Sequence, residues 1–518
     1  SLSLSLSLSL SAGQEIYHAT HSLFLSPRSL YCLVWDASKD PGSQVEPWLE
    51  SLQTQVPGSS VVLVATHIDK VAQDALEPRL QEARKLANEL LKDHKRLLEQ
   101  RVAALQATSP LEVAQKFELE RLVDRDTGQV KLLHLLNDGT SFAVNNLTGA
   151  SIAELRGFVV AKALELPQVG VEIPVTYAAA RERLLTVRED GRNKERVFPW
   201  DEFCRVMGRL DDLEAAATFW HDLGDMYMRD KHVILDPSFV VAAVTEIVRH
   251  DHNHMSGIRS ASGEDLSGDM AEFLAKGKLS QALLFDYMWA QRVKYDETTR
   301  TTLARLLEDF RVLSPTVGQA PASRAWLMPS MISNDNPNDR PTKSEFFCAT
   351  DVFECRFLMK YLPMDFFSGV LVDLFQGDQG FEEPMMQKSW ACLIGKAEGH
   401  ANRRRAVLFV APAEPSDFPD FQFEPGAEPH HLDPAIVRHQ LVVQASNGML
   451  FNRVKEVVFA RARAYSCMVI TPVVKCPICA ETSSRPFHFN VDAVERSADD
   501  LQFVCKGSRD LHQVPRTK

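Results

Sequence analysis

The sequence contains no apolar run approaching the roughly 18 residues of a membrane-spanning helix, so it predicts no transmembrane segment. It also lacks an excess of basic residues, since 57 Lys and Arg stand against 69 Asp and Glu and leave a formal net charge of −12. Nucleic-acid binding depends on neutralising phosphates with cations, and this balance therefore argues against a nucleic-acid partner. No Ser/His/Asp triad and no paired catalytic carboxylates stand out.

Cysteine is sparse, with nine residues among 518. Most are far apart, which is typical of a reducing compartment, and we therefore predict a cytoplasmic protein. Cys476 and Cys479 are the exception, because with Cys505 and His512 they could form a tetrahedral zinc site. The alternative is a reduced cysteine pair on a surface hairpin, because the interval from Cys505 to His512 is longer than usual for zinc ligands.

The composition, with 45% hydrophobic and 24% charged residues, is typical of a globular protein. The chain is long enough for about three domains. Two apolar runs, Leu30–Asp36 and Ser60–Thr66, have the composition of buried strands, and a short helix is predicted between them at Val45–Gln55. Strand, helix and strand in this order predict a doubly wound parallel sheet.

Two short motifs flank these strands. Gly13 and Gln14 precede the first strand, where a glycine lets the backbone approach a terminal phosphate and a glutamine can orient an attacking water. The second strand ends in Thr66-His67-Ile68-Asp69. The carboxylate of Asp69 can accept hydrogen bonds from both N1 and the exocyclic amine of guanine. The alternative is that Asp69 is the N-cap of a helix that begins at Val71.

Together these motifs resemble the Roc GTPase domain of the Roco family, which includes the leucine-rich-repeat kinases. Residues 12–28 carry the most specific part of the resemblance, and Ile173-Pro174-Val175-Thr176-Tyr177 resembles the opening of the COR domain that follows Roc. The resemblance covers roughly residues 11–510, and further matches lie at 219–224, 233–237 and 327–330.

The resemblance implies an α/β fold, a partial P-loop GTPase-like doubly wound sheet, followed by an α+β COR domain with a winged-helix-like first half. The predicted segments are a Ser-Leu low-complexity repeat at 1–10, a partial Roc domain at 11–166, the COR N-terminal half at 167–333 and the COR C-terminal half, with a candidate zinc knuckle, at 341–518.

The resemblance also implies GTP or GDP with Mg²⁺ as ligands. Gln14 would be catalytic, and the nucleotide would contact Gly13, Thr66, His67, Asp69, Asn145 and Asn146. His67 stands where the family usually has lysine. Asn145-Asn146-Leu147 replaces the usual fifth motif, which acts largely through a backbone N–H donated to guanine O6. Ser151 and Glu154 predict a capping box on the helix that follows.

The first ten residues and the missing phosphate loop point to the same explanation. The sequence contains no Gly-x4-Gly-Lys-Ser/Thr motif, and Leu10 stands where the family has an aspartate that acts on Mg²⁺. Ser-Leu repeated five times is what translation of a continuous TC tract yields, and it has no basic start of a signal peptide. We therefore expect a truncated or misassembled gene model; the alternative is a naturally degenerate Roc domain.

Two segments predict interaction surfaces. A long amphipathic helix over Pro78–Leu105 either binds a partner or packs along the sheet. In the C-terminal half, the apolar runs at 370–372, 407–410 and 457–459 predict surface that a symmetric partner covers; the alternative is an ordinary α+β core. In the family this half is the dimerising part, so we expect a homodimer through COR.

Two functions of different classes follow. One is a Roco-type GTP-binding and GTPase regulatory protein of intracellular signalling, which passes its nucleotide state to a linked or separate kinase effector. The other is a non-catalytic COR scaffold with a degenerate Roc domain, or a fragment of a larger Roco serine/threonine kinase. Without the phosphate loop, the chain as given favours binding and assembly over turnover.

Overall fold

The structure is a computed structural model. The residues that it describes are 25, 29–107, 113–166, 169–170, 172–189, 197–208, 212–229, 232–248, 258–260, 262–290, 297–309, 311–316, 324–332, 338, 340–342, 346–347, 352–363, 365–375, 385–394, 405–413, 437–446, 448–465, 467–475, 488–490, 501–504 and 511–514. In this part of the chain, no helix is both long and apolar enough to cross a membrane.

Strands and helices alternate in the first part of the chain, and strands dominate the last. The strands are β1 (Leu30–Asp36), β2 (Ser60–Thr66), β3 (His134–Leu135), β4 (Phe142–Ala143), β5 (Val197–Pro199), β6 (Tyr227–Arg229), β7 (His232–Ile234), β8 (Lys278–Ser280), β9 (Ser314–Pro315), β10 (Ala325–Leu327), β11 (Phe353–Met359), β12 (Met385–Met386), β13 (Trp390–Ile394), β14 (Arg405–Pro412), β15 (His439–Ala445), β16 (Thr471–Lys475), β17 (His488–Asn490), β18 (Leu501–Val504) and β19 (Leu511–Val514).

The α-helices are α1 (Pro41–Gln55), α2 (Gln73–Ala107), α3 (Val113–Leu122), α4 (Ile152–Leu164), α5 (Val175–Glu189), α6 (Trp200–Met207), α7 (Leu213–Asp222), α8 (Pro237–Ile247), α9 (Ser267–Lys276), α10 (Glu297–Asp309), α11 (Phe366–Phe375) and α12 (Gly448–Ala464). The chain divides into two compact units: unit 1 holds residues 1–96, 129–267 and 281–310, and unit 2 holds 97–128, 268–280 and 311–518.

Unit 1 contains a parallel sheet. β1 and β2 pair in parallel from Leu30 opposite Ser60 to Asp36 opposite Thr66, and both β3 and β4 pair in parallel with β2. Apolar side chains of α1 and α2 bury one face of the sheet, and α4 packs against the other. A mixed α/β fold with an N-terminal parallel sheet is therefore confirmed.

Unit 1 also contains a three-stranded antiparallel sheet in the order β5-β7-β6. Helices α5, α6 and α7 share its core, in which Trp220 is buried and its indole N–H donates to the carbonyl of Tyr177 at 3.0 Å. Arg181 pairs with Asp225 at 2.8 Å across this core. Helices beside a small sheet are the arrangement expected for this region, and the winged-helix description itself stays a prediction.

Unit 2 is built on a seven-stranded antiparallel sheet in the order β12-β13-β14-β15-β11-β16-β17. Helices α11 and α12 cover one face and form a continuous apolar core with it. The apolar runs that predicted a partner-covered surface contribute to this core, since Val370, Leu408 and Val458 are each 0% exposed. The alternative interpretation, an ordinary α+β core, is therefore the one that the structure supports.

Helix α2 contributes to both units. Its Leu80, Ala83 and Leu90 belong to the core of the parallel sheet in unit 1, which confirms packing along that sheet for this part of the helix. From Leu97 onward it belongs to unit 2, where Leu97 packs with apolar residues of the seven-stranded sheet. One helix thus supplies core residues to two units.

Candidate functional site

The loops that follow three strands of the parallel sheet begin side by side. β1, β2 and β4 run in the same direction, so their carboxyl ends lie at one edge, which is where open parallel sheets bind ligands. Two further hydrogen bonds extend the pairing beyond the strands: Ala37 N–H donates to the Thr66 carbonyl at 3.0 Å, and Val144 N–H to the Ala65 carbonyl at 2.9 Å.

Polar side chains cross-link these strand ends from within. The hydroxyl of Thr66, a buried residue, donates to the carbonyl of Trp35 at 3.0 Å. The indole N–H of Trp35 in turn donates to the hydroxyl of Ser141 at 3.1 Å, just before β4. Because each bond joins a different pair of strands, the edge is fixed before any ligand arrives.

His67 follows directly after β2 in a left-handed conformation, with φ at 54°. A single 3₁₀ turn, Ile68–Lys70, comes next, and the Lys70 N–H donates to the His67 carbonyl at 3.0 Å. The imidazole Nδ1 lies 3.2 Å from the Thr66 hydroxyl oxygen and 3.6 Å from a carboxylate oxygen of Asp36. Its side chain is 44% exposed, so the imidazole is accessible to a ligand.

Asp36 is a member of this edge that sequence reasoning missed. Its carboxylate accepts hydrogen bonds from the Ser38 N–H at 3.0 Å and the Ser38 hydroxyl at 2.7 Å. Burial alone would raise the pKa of Asp36, but the Ser38 hydrogen bonds and the nearby His67 and Lys39 outweigh it, and the net shift is downward. The signal in the sequence was an Asp-x-Ser turn directly after a buried strand.

Asp69 lies in the 3₁₀ turn with an exposed side chain. Among the residues that the structure describes, none forms a hydrogen bond or ion pair with its carboxylate. The next helix, α2, begins only at Gln73. The alternative interpretation of Asp69 as the N-cap of a helix starting at Val71 is therefore wrong.

Asn145 organises the loop after β4. Its side-chain oxygen accepts from the Leu147 N–H at 2.9 Å and the Thr148 N–H at 3.2 Å, which closes an Asx turn. The neighbouring Asn146 is exposed, and within the described part of the chain its N–H has no acceptor. The backbone donor that this loop offers a ligand is therefore Asn146.

The helix after this loop, α4, begins at Ile152 as predicted, but the capping box at its start is wrong. Ser151 adopts φ of 59° and its side chain makes no capping hydrogen bond. With this left-handed backbone the hydroxyl does not reach the N–H groups of the first turn.

The remaining predicted site residues are Gly13, Gln14 and the four candidate zinc ligands. Gly13, Gln14, Cys476, Cys479 and Cys505 are outside the described residues, and His512 is described only by its backbone in β19. A search of the described ranges found no group of three or more His, Cys, Asp or Glu residues placed to hold a metal ion. Within the described residues, zinc therefore has no support.

A cavity of about 540 Å³ lies elsewhere in unit 1, between α2 and β3. Arg84, Asn88 and His134 line it, together with apolar residues. His134 pairs with Ser60 at the start of β2, whereas the edge described above is at the end of that strand. This cavity is thus separate from the candidate site.

Comparison with known proteins gives the edge a context. Residues 7–69 match the family model described as Roc, Ras of Complex, domain of DAPkinase. That range includes β1, β2 and the turn that carries Asp69.

Longer similarities extend further along the chain. It is 25% identical over 381 residues to the probable serine/threonine-protein kinase pats1 of Dictyostelium discoideum, covering 70% of this chain and 10% of that protein. It is 23% identical over 316 residues to the probable serine/threonine-protein kinase roco6 of the same organism, covering 59% of this chain and 12% of that protein.

A third relative is the leucine-rich repeat serine/threonine-protein kinase 1 of Caenorhabditis elegans, 26% identical over 260 residues, with 46% of this chain and 10% of that protein covered. The chain thus spans only about a tenth of the length of these curated relatives.

Proposed function

The chain belongs to the Roco family, and from that premise we propose that the edge formed by Thr66–Asp69 and Asn145–Asn146 binds the base of a guanine nucleotide. The observation that carries this proposal is the exposed Asp69 carboxylate, which has no partner among the described residues and stands on a turn that begins at a braced strand end.

The chemistry of the two loops matches guanine. Asp69 accepts from N1–H and the exocyclic amine, and the Asn146 N–H donates to O6. Adenine carries an amino donor where guanine has O6, and the N1 of adenine is unprotonated. Adenine therefore satisfies neither the Asn146 N–H nor the Asp69 carboxylate. The two loops lie on adjacent parallel strands, which allows one planar base to reach both.

Phosphate and metal contacts are a separate matter. We propose GTP or GDP with Mg²⁺ as the ligand and Gln14 as the residue that orients the attacking water, on family membership alone. Among the described residues, the Asp36 carboxylate at the end of β1 accepts two hydrogen bonds from Ser38 and lies 3.6 Å from His67 Nδ1. Because these contacts occupy it, it does not fit the role of a Mg²⁺ ligand.

The test of base recognition is Asp69→Asn in the whole chain. An amide places a donor where guanine also donates, so the preference for guanine over xanthine should change by about 2 to 4 kcal/mol. Equilibrium dialysis with GDP and xanthosine diphosphate measures it at high ligand concentration. The exposed Asp74→Asn is the matched control in the first turn of α2. An unchanged preference in Asp69→Asn would remove Asp69 from the site.

We propose a regulatory role in signalling through assembly. The support is that relatives of this chain are named as kinases, so a linked or separate kinase is the effector that we propose. Homodimerisation through residues 341–518 rests on the family alone, because the apolar runs there are largely buried in one core.

Sedimentation of the whole chain, with and without millimolar GTP, separates the regulatory protein from the scaffold. A dimer whose dissociation constant changes with GTP supports the first. A dimer that ignores GTP supports the non-catalytic scaffold. A monomer at tens of micromolar contradicts both.

A further inference from the structure

We propose that Thr66 and Asp36 fix His67 as the Nδ1–H tautomer, so that the ring presents Nε2 as a hydrogen-bond acceptor toward the bound nucleotide. His67 would then read the ligand, and Asp36 and Thr66 would be positioning residues. The nucleotide-facing half of this inference rests on the proposed function, whereas the tautomer itself does not.

The first step is the proton of the Thr66 hydroxyl. A hydroxyl has one proton to donate, and the Trp35 carbonyl, 3.0 Å away, can only accept. That proton is therefore committed to Trp35. The same oxygen lies 3.2 Å from His67 Nδ1, and toward the ring it is left with lone pairs only. It can accept from Nδ1–H but cannot donate to a bare Nδ1.

The second step is the carboxylate. An oxygen of Asp36 lies 3.6 Å from the same Nδ1, and the lowered pKa of Asp36 keeps this group ionised at neutral pH. An ionised carboxylate is an acceptor only. Because the Thr66 oxygen and the Asp36 carboxylate can both only accept from Nδ1, they favour a proton on Nδ1. In the neutral ring Nε2 then keeps its lone pair.

The third step is that Asp36 and His67 are held in place before a nucleotide binds. Asp36 is anchored by Ser38, and Arg79 donates to the carbonyls of Ala37 at 2.7 Å and Lys39 at 3.0 Å, which pins the same loop from α2. The ring of His67 lies toward β1, with Nδ1 3.6 Å from the Asp36 carboxylate at the end of that strand. A ligand therefore meets an imidazole that is already oriented.

The last step is the ligand chemistry. A neutral Nε2 accepts from an O–H or N–H group, and a guanine nucleotide has such donors on the base and on the ribose. Asp69 already accounts for the donors along the Watson–Crick edge of the base. We therefore assign the ribose hydroxyls to Nε2, with a base donor as the alternative source.

The tautomer is measured without any nucleotide. Long-range ¹H–¹⁵N spectra of the full chain, labelled at its histidine rings, distinguish Nδ1–H from Nε2–H at a pH where the ring is neutral. His67→Gln identifies the His67 signals among the 16 histidines. Free histidine favours Nε2–H, so a predominant Nδ1–H form is a specific outcome; a predominant Nε2–H form overturns the proposal.

Variants test which residues impose the tautomer. Thr66→Val removes the accepting oxygen at nearly constant volume, and Asp36→Ala removes the carboxylate. Each should raise the fraction of Nε2–H severalfold, whereas Asp74→Ala, exposed in the first turn of α2, should leave it unchanged. Unchanged tautomer fractions in both site variants would show that neither residue positions the ring.

Nucleotide titration tests whether Nε2 of His67 accepts a hydrogen bond from the nucleotide. GTP should shift the His67 Nε2 signal, and 2′,3′-dideoxy-GTP should not if the ribose is the donor; a shift with both assigns the donor to the base. A static signal while dialysis shows binding overturns the role of Nε2. If dialysis shows no binding even at millimolar GTP, the proposed function fails together with this half, and the tautomer result stands by itself.

Discussion

An aspartate near the end of a strand in unit 1 and an aspartate at the start of a helix in unit 2 have opposite environments. The Asp36 side chain is 19% exposed at the open edge of a parallel sheet, and hydrogen bonds lower its pKa. The Asp365 side chain is 8% exposed between α11 and α12, and burial raises its pKa. The first environment leaves polar groups accessible to a ligand, and the second uses them inside a core.

In unit 2, the buried Asp365 belongs to a small polar network. The Tyr465 hydroxyl donates to Asp365 at 2.9 Å, and the Arg461 guanidinium lies 3.7 Å from the other carboxylate oxygen. Gly369 lies against that guanidinium, where a side chain would collide with it. The network joins two helices over the seven-stranded sheet, so its disruption should affect stability, whereas changes at the edge in unit 1 should affect binding.

Arg461→Met gives the largest expected effect. It leaves the Asp365 carboxylate buried without its cation, and breaking a buried pair in this way costs about 3 to 5 kcal/mol of the free energy of unfolding. Urea unfolding measures the loss. Arg463→Met, at an exposed position two residues along the same helix, is the matched control and should change stability by less than about 0.5 kcal/mol. Equal losses in the two variants would mean that the Asp365–Arg461 pair contributes no more to stability than an exposed arginine does.

Gly369→Ala should have the next largest effect. The added methyl group meets the Arg461 guanidinium, which must move away from a buried position, and overpacking of this kind costs about 1 to 3 kcal/mol. Arg461→Met removes the Nη2 and Cζ atoms from this collision, so the two losses should be less than additive in a double-mutant cycle. Full additivity would contradict the contact.

Asn145→Ala should have a smaller effect, confined to unit 1. It removes the acceptor for two backbone N–H groups of an exposed loop, which costs about 1 kcal/mol because water replaces the acceptor. Hydrogen exchange of Leu147 and Thr148 should speed up. Asn146→Ala, whose side chain is exposed, is the control and should leave exchange there unchanged; if it has the same effect, the Asx turn does not organise the loop.

Much of the fold could be predicted from the sequence where pattern and packing agree. β1 and β2 begin and end where their apolar runs do, and α1 ends at Gln55 as predicted. In unit 2, the apolar runs at 370–372, 407–410 and 457–459 were assigned to a partner surface, because a run of apolar residues does not show how many helices will cover it.

The site was harder to predict because its contacts depend on register. The proximity of Asp36 to His67 exists only because Asp36 pairs with Thr66 in the parallel ladder, which no spacing within one segment reveals. The left-handed backbone at Ser151 removed a capping box that the residue types suggested. Local rules failed here at positions where long-range pairing or backbone conformation determined the outcome.

Opposite pH dependences in the two units are the last and smallest effect. The ordinary pKa of an aspartate is 3.8. The pKa of Asp36 is lowered in the folded state, so its contribution to stability is present above 3.8 and is lost as the pH falls through the folded value. The pKa of Asp365 is raised, so its contribution is fully present below 3.8 and is lost as the pH rises through the folded value.

Urea midpoints of the wild type, Asp36→Asn and Asp365→Asn between about pH 3 and 8 test these signs, because a variant that cannot titrate isolates the contribution of its residue. The stability difference between wild type and Asp36→Asn should shrink toward acid. Relative to Asp365→Asn, the wild type should lose stability as the pH rises. If both differences move in the same direction, burial does not dominate at Asp365, and the two aspartates differ in exposure but not in the sign of their linkage to folding.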